Sequence, residues 1–85
     1  MYLISLNISW QTLNSETFII DERCKKLYKL EETTNDIWQL LLDKKNFEEI
    51  CFYILSVYDV EIEKVKKDVK KTIDNFLKLE FIEET

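Results

Sequence analysis

The chain has 85 residues, 46% of them hydrophobic, and a formal charge of −5, which makes one domain spanning 1–85 with material for a core. It contains no Gly, Pro or His. That excludes glycine-rich phosphate loops, removes the commonest general base and metal ligand, and leaves the turns to Asn, Asp and Ser.

Ile8 to Leu13 alternates weakly, with Ile8, Trp10 and Thr12 on one side, and reads as a strand. Asn14-Ser15 is a tight turn into the β-branched and aromatic run Phe18-Ile19-Ile20. After the polar break Asp21-Glu22-Arg23, Cys24 to Leu30 forms a third strand. Its Tyr28 and Leu30 share one face, and Leu27 takes the other, between Lys25 and Lys29. Residues 26–42, KLYKLEETTNDIWQLLL, then pass from strand to helix with no Gly or Pro between. From Thr33 or Thr34, either of which serves as a cap, Ile37, Trp38, Leu41 and Leu42 recur at helical spacing. Asn46 and Glu49 have the capping-box form and open a second helix with Ile50, Phe52, Tyr53, Ile54 and Val57 on its apolar face. After Tyr58-Asp59-Val60 a longer third helix runs from Glu61 to Leu79. Ile62, Val65, Val69, Ile73, Phe76 and Leu77 follow its buried stripe, and Phe81-Ile82 closes the core. Three strands followed by three helices form an α+β pattern. Trp38 and Phe76 belong to the core. Trp10, on an early strand of a thin sheet, divides evenly between core and partner contact.

No catalytic constellation is visible. The acids are many, but nothing places two of them in one pocket, so the chain reads as a binding module and not an enzyme. Cys24 and Cys51 are too few and too far apart for a disulfide scaffold or a zinc site and read as reduced thiols. No metal or cofactor is expected. No apolar run approaches the roughly 18 residues of a membrane helix. The start, MYLISLNISW, has no basic residue ahead of its apolar part and does not read as a secretory signal, so the cytosol is the expected location.

Charge is unevenly placed. The segments Arg23–Lys29 and Lys64–Lys71 hold nine of the 12 basic residues and one of the 17 acids. If the third strand is an edge beside the third helix, a basic patch surrounds the groove between them, steers an acidic peptide there and holds it by backbone pairing. The outward backbone groups of Lys25, Leu27 and Lys29 would pair with the guest. Leu27, Val69 and Ile73 would supply apolar pockets, with Lys66 and Lys70 reading acids at the rim. The bland alternative is that edge lysines deter aggregation and helix lysines only solvate.

The ordered set is Trp10, a hairpin, Lys26-Leu27-Tyr28-Lys29-Leu30, Thr33…Ile37-Trp38-Gln39-Leu40-Leu41, Phe47-Glu48-Glu49-Ile50, Tyr58-Asp59-Val60 and the Asp68…Phe76-Leu77 helix. From about Leu6 to Ile82 it resembles the PqqD-like family, also called RiPP recognition elements, for ribosomally made and post-translationally modified peptides. The family has Gly in the hairpin turns, at the strand-to-helix junction and before the last apolar pair. Here Asn14-Ser15, Glu22-Arg23, Glu31-Glu32-Thr33-Thr34 and Glu80 stand there. The resemblance implies a winged helix-turn-helix with a three-stranded sheet against three helices. It implies binding of a precursor leader peptide as an added strand beside the third strand, in its groove with the third helix. Cys24 to Lys29, and so Lys26 and Tyr28, would line that groove with part of Glu63 to Phe76. The implied partner is a peptide-modifying enzyme or leader peptidase, of the lasso-peptide or the radical SAM type. A homodimer through the sheet face or edge strand is compatible. A winged-helix DNA-binding regulator is the alternative, disfavoured by the pI of about 4.7 and the single Arg.

Overall fold

A computed structural model describes all residues from Met1 to Thr85. The elements run β1 (Tyr2–Ile4), β2 (Ile8–Leu13), β3 (Glu16–Asp21), β4 (Lys26–Leu30), α1 (Glu32–Leu42), α2 (Phe47–Val57), α3 (Ile62–Lys78) and β5 (Ile82–Glu84). The antiparallel sheet β2-β3-β4 ahead of three helices is the expected architecture. An element that periodicity does not reveal is a second ribbon, in which β1 pairs β5 with Tyr2 opposite Glu84 and Ile4 opposite Ile82. Three residues per strand are too few to register an alternating pattern.

The first hairpin behaves as its sequence predicts. Leu13 and Glu16 flank the two-residue turn, and Asn14 and Ser15 both have positive φ, 51° and 66°. That is the primed turn whose twist matches its strands. The expectation that Asn, Asp and Ser make every turn fails elsewhere. Lys25, Glu32, Lys44 and Glu80 also sit at φ between 53° and 62°. Left-handed backbone costs a residue with a Cβ about 1–2 kcal/mol, so each of these positions needs compensation. At Lys44 and Glu80 it comes from closed helix ends. Lys45 N–H donates to Leu40 O and Lys44 N–H to Leu41 O, each at 3.0 Å; Phe81 N–H donates to Phe76 O at 2.9 Å and Glu80 N–H to Leu77 O at 3.0 Å. Phe81 then packs on Phe76, ring centroids 6.1 Å apart.

The β4–α1 junction is as abrupt as the sequence suggests, but neither Thr33 nor Thr34 caps the helix. The cap position falls on Glu31, with no side-chain cap bond, because left-handed Glu32 turns the chain into α1 immediately after β4. The Asn46–Glu49 capping box of α2 is present in both directions, at 2.9 and 3.0 Å.

Ile8, Ile19 and Leu30 from the sheet meet Ile37, Trp38, Leu41 and the α3 stripe Val65, Val69, Ile73 and Phe76. Trp38 is fully buried at the centre, edge-to-face with Trp10, Phe76 and Phe81 at 5.8, 5.5 and 6.5 Å. Trp10 keeps 41% of its surface exposed while resting on Trp38, so it is both core wall and surface. Buried Asn35 donates from Nδ2 to Ser15 O at 3.0 Å and accepts from Thr17 Oγ1, locking the first hairpin to α1.

Candidate functional site

Hydrogen-bond phase decides which β4 backbone groups are open. The pair Leu13–Glu16 closes a two-residue turn and is therefore a bonded pair. Pairs alternate from there, so Glu16, Phe18 and Ile20 turn their backbone groups to β2, and Thr17, Ile19 and Asp21 turn theirs to β4. The β3–β4 register sets Leu30, Tyr28 and Lys26 opposite those last three. Leu27 and Lys29 consequently point N–H and C=O away from the sheet, and no backbone or side-chain bond of the chain takes them up.

Beyond that open edge lies a groove of about 870 Å³ between β4 and α3, bordered also by Thr33, Thr34 and Ile37 of α1. Leu30, Ile37, Phe76 and Phe81 form its apolar floor. Tyr28 and Lys29 stand on the β4 side, and Asp68, Lys71, Thr72, Asp74, Asn75 and Lys78 on the α3 side. Tyr28 stacks edge-to-face on Phe81 at 5.0 Å, and Lys26 Nζ sits 5.2 Å from the Tyr28 ring centroid. Arg23 braces the groove end. Its guanidinium donates to Asp21 at 2.9 and 3.0 Å, to Leu79 O at 3.1 Å and to Glu80, tying the β3–β4 turn to the end of α3. Hydrogen bonds from Arg23 hold the Asp21 carboxyl below the usual carboxylate range and push the guanidinium higher still.

Residues 12–82 match the family described as coenzyme PQQ synthesis protein D, PqqD. This chain belongs to the PqqD family. Among curated proteins no sequence relative is found. Two solved structures share the fold. One is TbiB1 in complex with the TbiA(beta) leader peptide, with 23% identity, a TM-score of 0.89, and coverage of 96% of this chain and 95% of that one. The other is a lasso peptide synthetase B1 complexed with the leader peptide, with 19% identity, a TM-score of 0.88, and 98% of each chain covered.

In this PqqD-family chain the sequence-predicted site residues separate. Tyr28 lines the groove with its ring, Lys29 borders it from the strand edge with its side chain on the sheet's outer face, Lys26 lies beside it, and Leu27 offers its open backbone while its side chain also lies on the outer face. Lys25 does not belong to the strand. It occupies the β3–β4 turn at φ 58°, its N–H bonds to Asp21 O at 2.7 Å, and its Nζ bonds to Glu22 at 2.9 Å. Val69 and Ile73 are core, 0% and 3% exposed, and offer no pocket surface. Lys66 lies against α2 beside Phe47, Cys51 and Ile62, and Lys70 bonds Asp74 at 2.9 Å on the flank facing Tyr2 and Glu84. The cause is helical geometry. With residues 65, 69, 73 and 76 buried, 66, 70 and 77 fall on one side of the stripe and 68, 72, 75 and 79 on the other. The sequence establishes the stripe but not which flank meets β4, so Lys71, Thr72, Asn75 and Lys78 were missed.

The basic patch also divides. Arg23, Lys25, Lys29, Lys64 and Lys70 are all engaged by acids of the chain itself. Lys29 binds Glu16 at 3.0 Å and lies 3.7 Å from Glu31, and the hydrogen bond to Glu16 raises its pKa and lowers that of Glu16. Lys71 and Lys78 are the groove cations outside any ion pair. The groove is therefore mildly, not strongly, basic. No helix is long and apolar enough to cross a membrane.

Proposed function

We propose that this chain binds the leader segment of a ribosomally made precursor peptide, as a strand added to the β4 edge, and presents it to a modifying enzyme or leader peptidase without catalysing a reaction itself. The observation that carries this reading is the open backbone of Leu27 and Lys29 beside the apolar-floored groove. Main-chain pairing supplies affinity, and side chains in the groove supply specificity. Membership of the PqqD family supports it, as do two solved proteins of the same fold that hold leader peptides. Ordering a flexible guest opposes binding, which sets the expected affinity between nanomolar and micromolar. The DNA-binding alternative is disfavoured by the single Arg and by α3, where Lys64 and Lys70 are matched by Asp68 and Asp74.

The test is a titration of the isotope-labelled chain with the synthetic leader of the precursor encoded beside its gene. Amide shifts at Leu27, Lys29, Lys71 and Asn75 are expected. Shifts confined to β2 or to α2 would refute this mode of binding.

A further inference from the structure

A strand added to β4 has two faces, and only one of them meets the groove. Tyr28 points into the groove side, whereas Leu27 and Lys29 carry their side chains on the opposite, outer face of the sheet. The guest residues directly opposite Leu27 and Lys29 share that outer face whether the guest runs parallel or antiparallel. The outer face there is not neutral ground. Leu27 is 61% exposed and pairs across the sheet with Ile20, 41% exposed, so an apolar row ends abruptly at the open edge. In the next row Lys29 lies opposite Phe18, and its ammonium group reaches Glu16 and Glu31, a cluster with one more negative than positive charge. On the groove side the ammonium groups of Lys71 and Lys78, and of Lys26 beside the Tyr28 ring, lie outside any ion pair.

From this we infer that β4 reads a second register of its guest: an apolar side chain opposite Leu27 and, two residues away, an uncharged one opposite Lys29, with acids confined to the groove-facing positions. The apolar guest residue completes the Ile20–Leu27 row. A carboxylate opposite Lys29 would meet an ammonium group already engaged by Glu16 and Glu31, in a cluster whose net charge is negative. The inference rests on strand addition at β4 but is separable from it, since a guest anchored by backbone and groove alone would leave the outer positions unselected.

A phage-displayed library of random linear peptides, selected on the immobilised full chain, tests both. Wild-type selection should enrich peptides with an apolar residue two positions from an uncharged one and acids only between or flanking them. Leu27→Ser, at an exposed position, should relax the apolar choice and nothing else. The Glu16→Gln, Glu31→Gln pair should admit acids at the second outer position. For one synthetic binder, changing the apolar outer residue to Ser should weaken binding to wild type by about fivefold and leave binding to Leu27→Ser unchanged. Binders that shift the Leu27 and Lys29 amides yet show no outer preference, or an equal penalty on both proteins, overturn the inference alone. Binders that leave those amides unmoved, or no binders at all, overturn strand addition and the inference with it.

Discussion

N-methylation of single amides in β4 separates a groove that merely holds a peptide from an edge that pairs with one. The Leu27 amide points outward and bonds to nothing in the chain, whereas the Tyr28 amide belongs to the bonded pair with Ile19. Cys24 and Cys51 bracket β4, so the chain can be assembled from segments 1–23, 24–50 and 51–85 by ligation at its own cysteines. Methylating Leu27 removes one donor and leaves one guest carbonyl unpaired. A net bond is worth about 0.5–1.5 kcal/mol and an unsatisfied partner costs about 1–3, so a loss of about 2 kcal/mol, near 30-fold in Kd, is expected. The melting temperature should hold, because no bond within the fold is touched. Methylating Tyr28 should do the reverse to the fold, breaking the β3–β4 ladder and lowering Tm by several degrees. The assays are calorimetric titration with a leader peptide that the unmodified chain binds, and thermal melts by circular dichroism. Undiminished binding after methylation at Leu27 would end the strand-addition argument, whatever the groove does.

Three further outcomes follow from the geometry. Charge reversal of Lys71 and Lys78 to Glu should weaken an acidic leader by about tenfold and flatten its salt dependence, whereas the same reversal at Lys66 and Lys70 should not, both measured by titration at two ionic strengths. Lys44→Gly and Ser15→Gly, each at a left-handed position, should stabilise by about 1 kcal/mol and raise Tm by about 4–8 °C apiece; an unchanged or lower Tm would deny the strain. Asp21 has a folded pKa below its ordinary 3.8, chiefly through the Arg23 hydrogen bonds, so its contribution is complete above that value and is lost as pH falls through the depressed pKa. Asp21→Asn should therefore flatten the loss of Tm below about pH 4, and an equally steep acid limb in the variant would assign that loss to other carboxylates.

What the sequence made legible was whatever period and composition encode locally. The alternation around Tyr28, the 3.6-residue recurrence through Val65, Val69 and Phe76, the Asn46 capping box and the Asn14-Ser15 turn each depend on neighbours in the chain, and each stands as read. The pairing of the basic residues was not legible, for the opposite reason. A count of lysines along the chain omits the acids that engage five of the nine clustered cations, which arrive through helical spacing or from distant elements. Asp68 reaches Lys64 and Asp74 reaches Lys70 one turn away, Glu16 reaches Lys29 across the sheet, and Glu80 reaches Arg23 from the end of α3. Val69 and Ile73 were assigned both to the buried stripe and to the peptide pocket. A side chain at 0–3% exposure serves the first role only.

An open edge invites pairing with any strand, including a second copy of itself, so its side chains must discriminate. Only Leu27 and Lys29 face outward with free backbone, which leaves few antiparallel registers for two β4 edges. One sets Leu27 against Leu27 but carries Lys29 past the end of the other copy's strand, to its Lys25 turn. The next sets Leu27 against Lys29 twice, and the third sets Lys29 against Lys29. Each register leaves Lys29 beyond a strand end, sets an apolar side chain against an ammonium group, or puts like charges directly opposite, which destabilises a pair. A guest of different sequence escapes that penalty by placing an apolar residue at the first position and a non-lysine at the second. The residues that leave this edge available to a foreign backbone are therefore the same ones that make it a poor partner for itself.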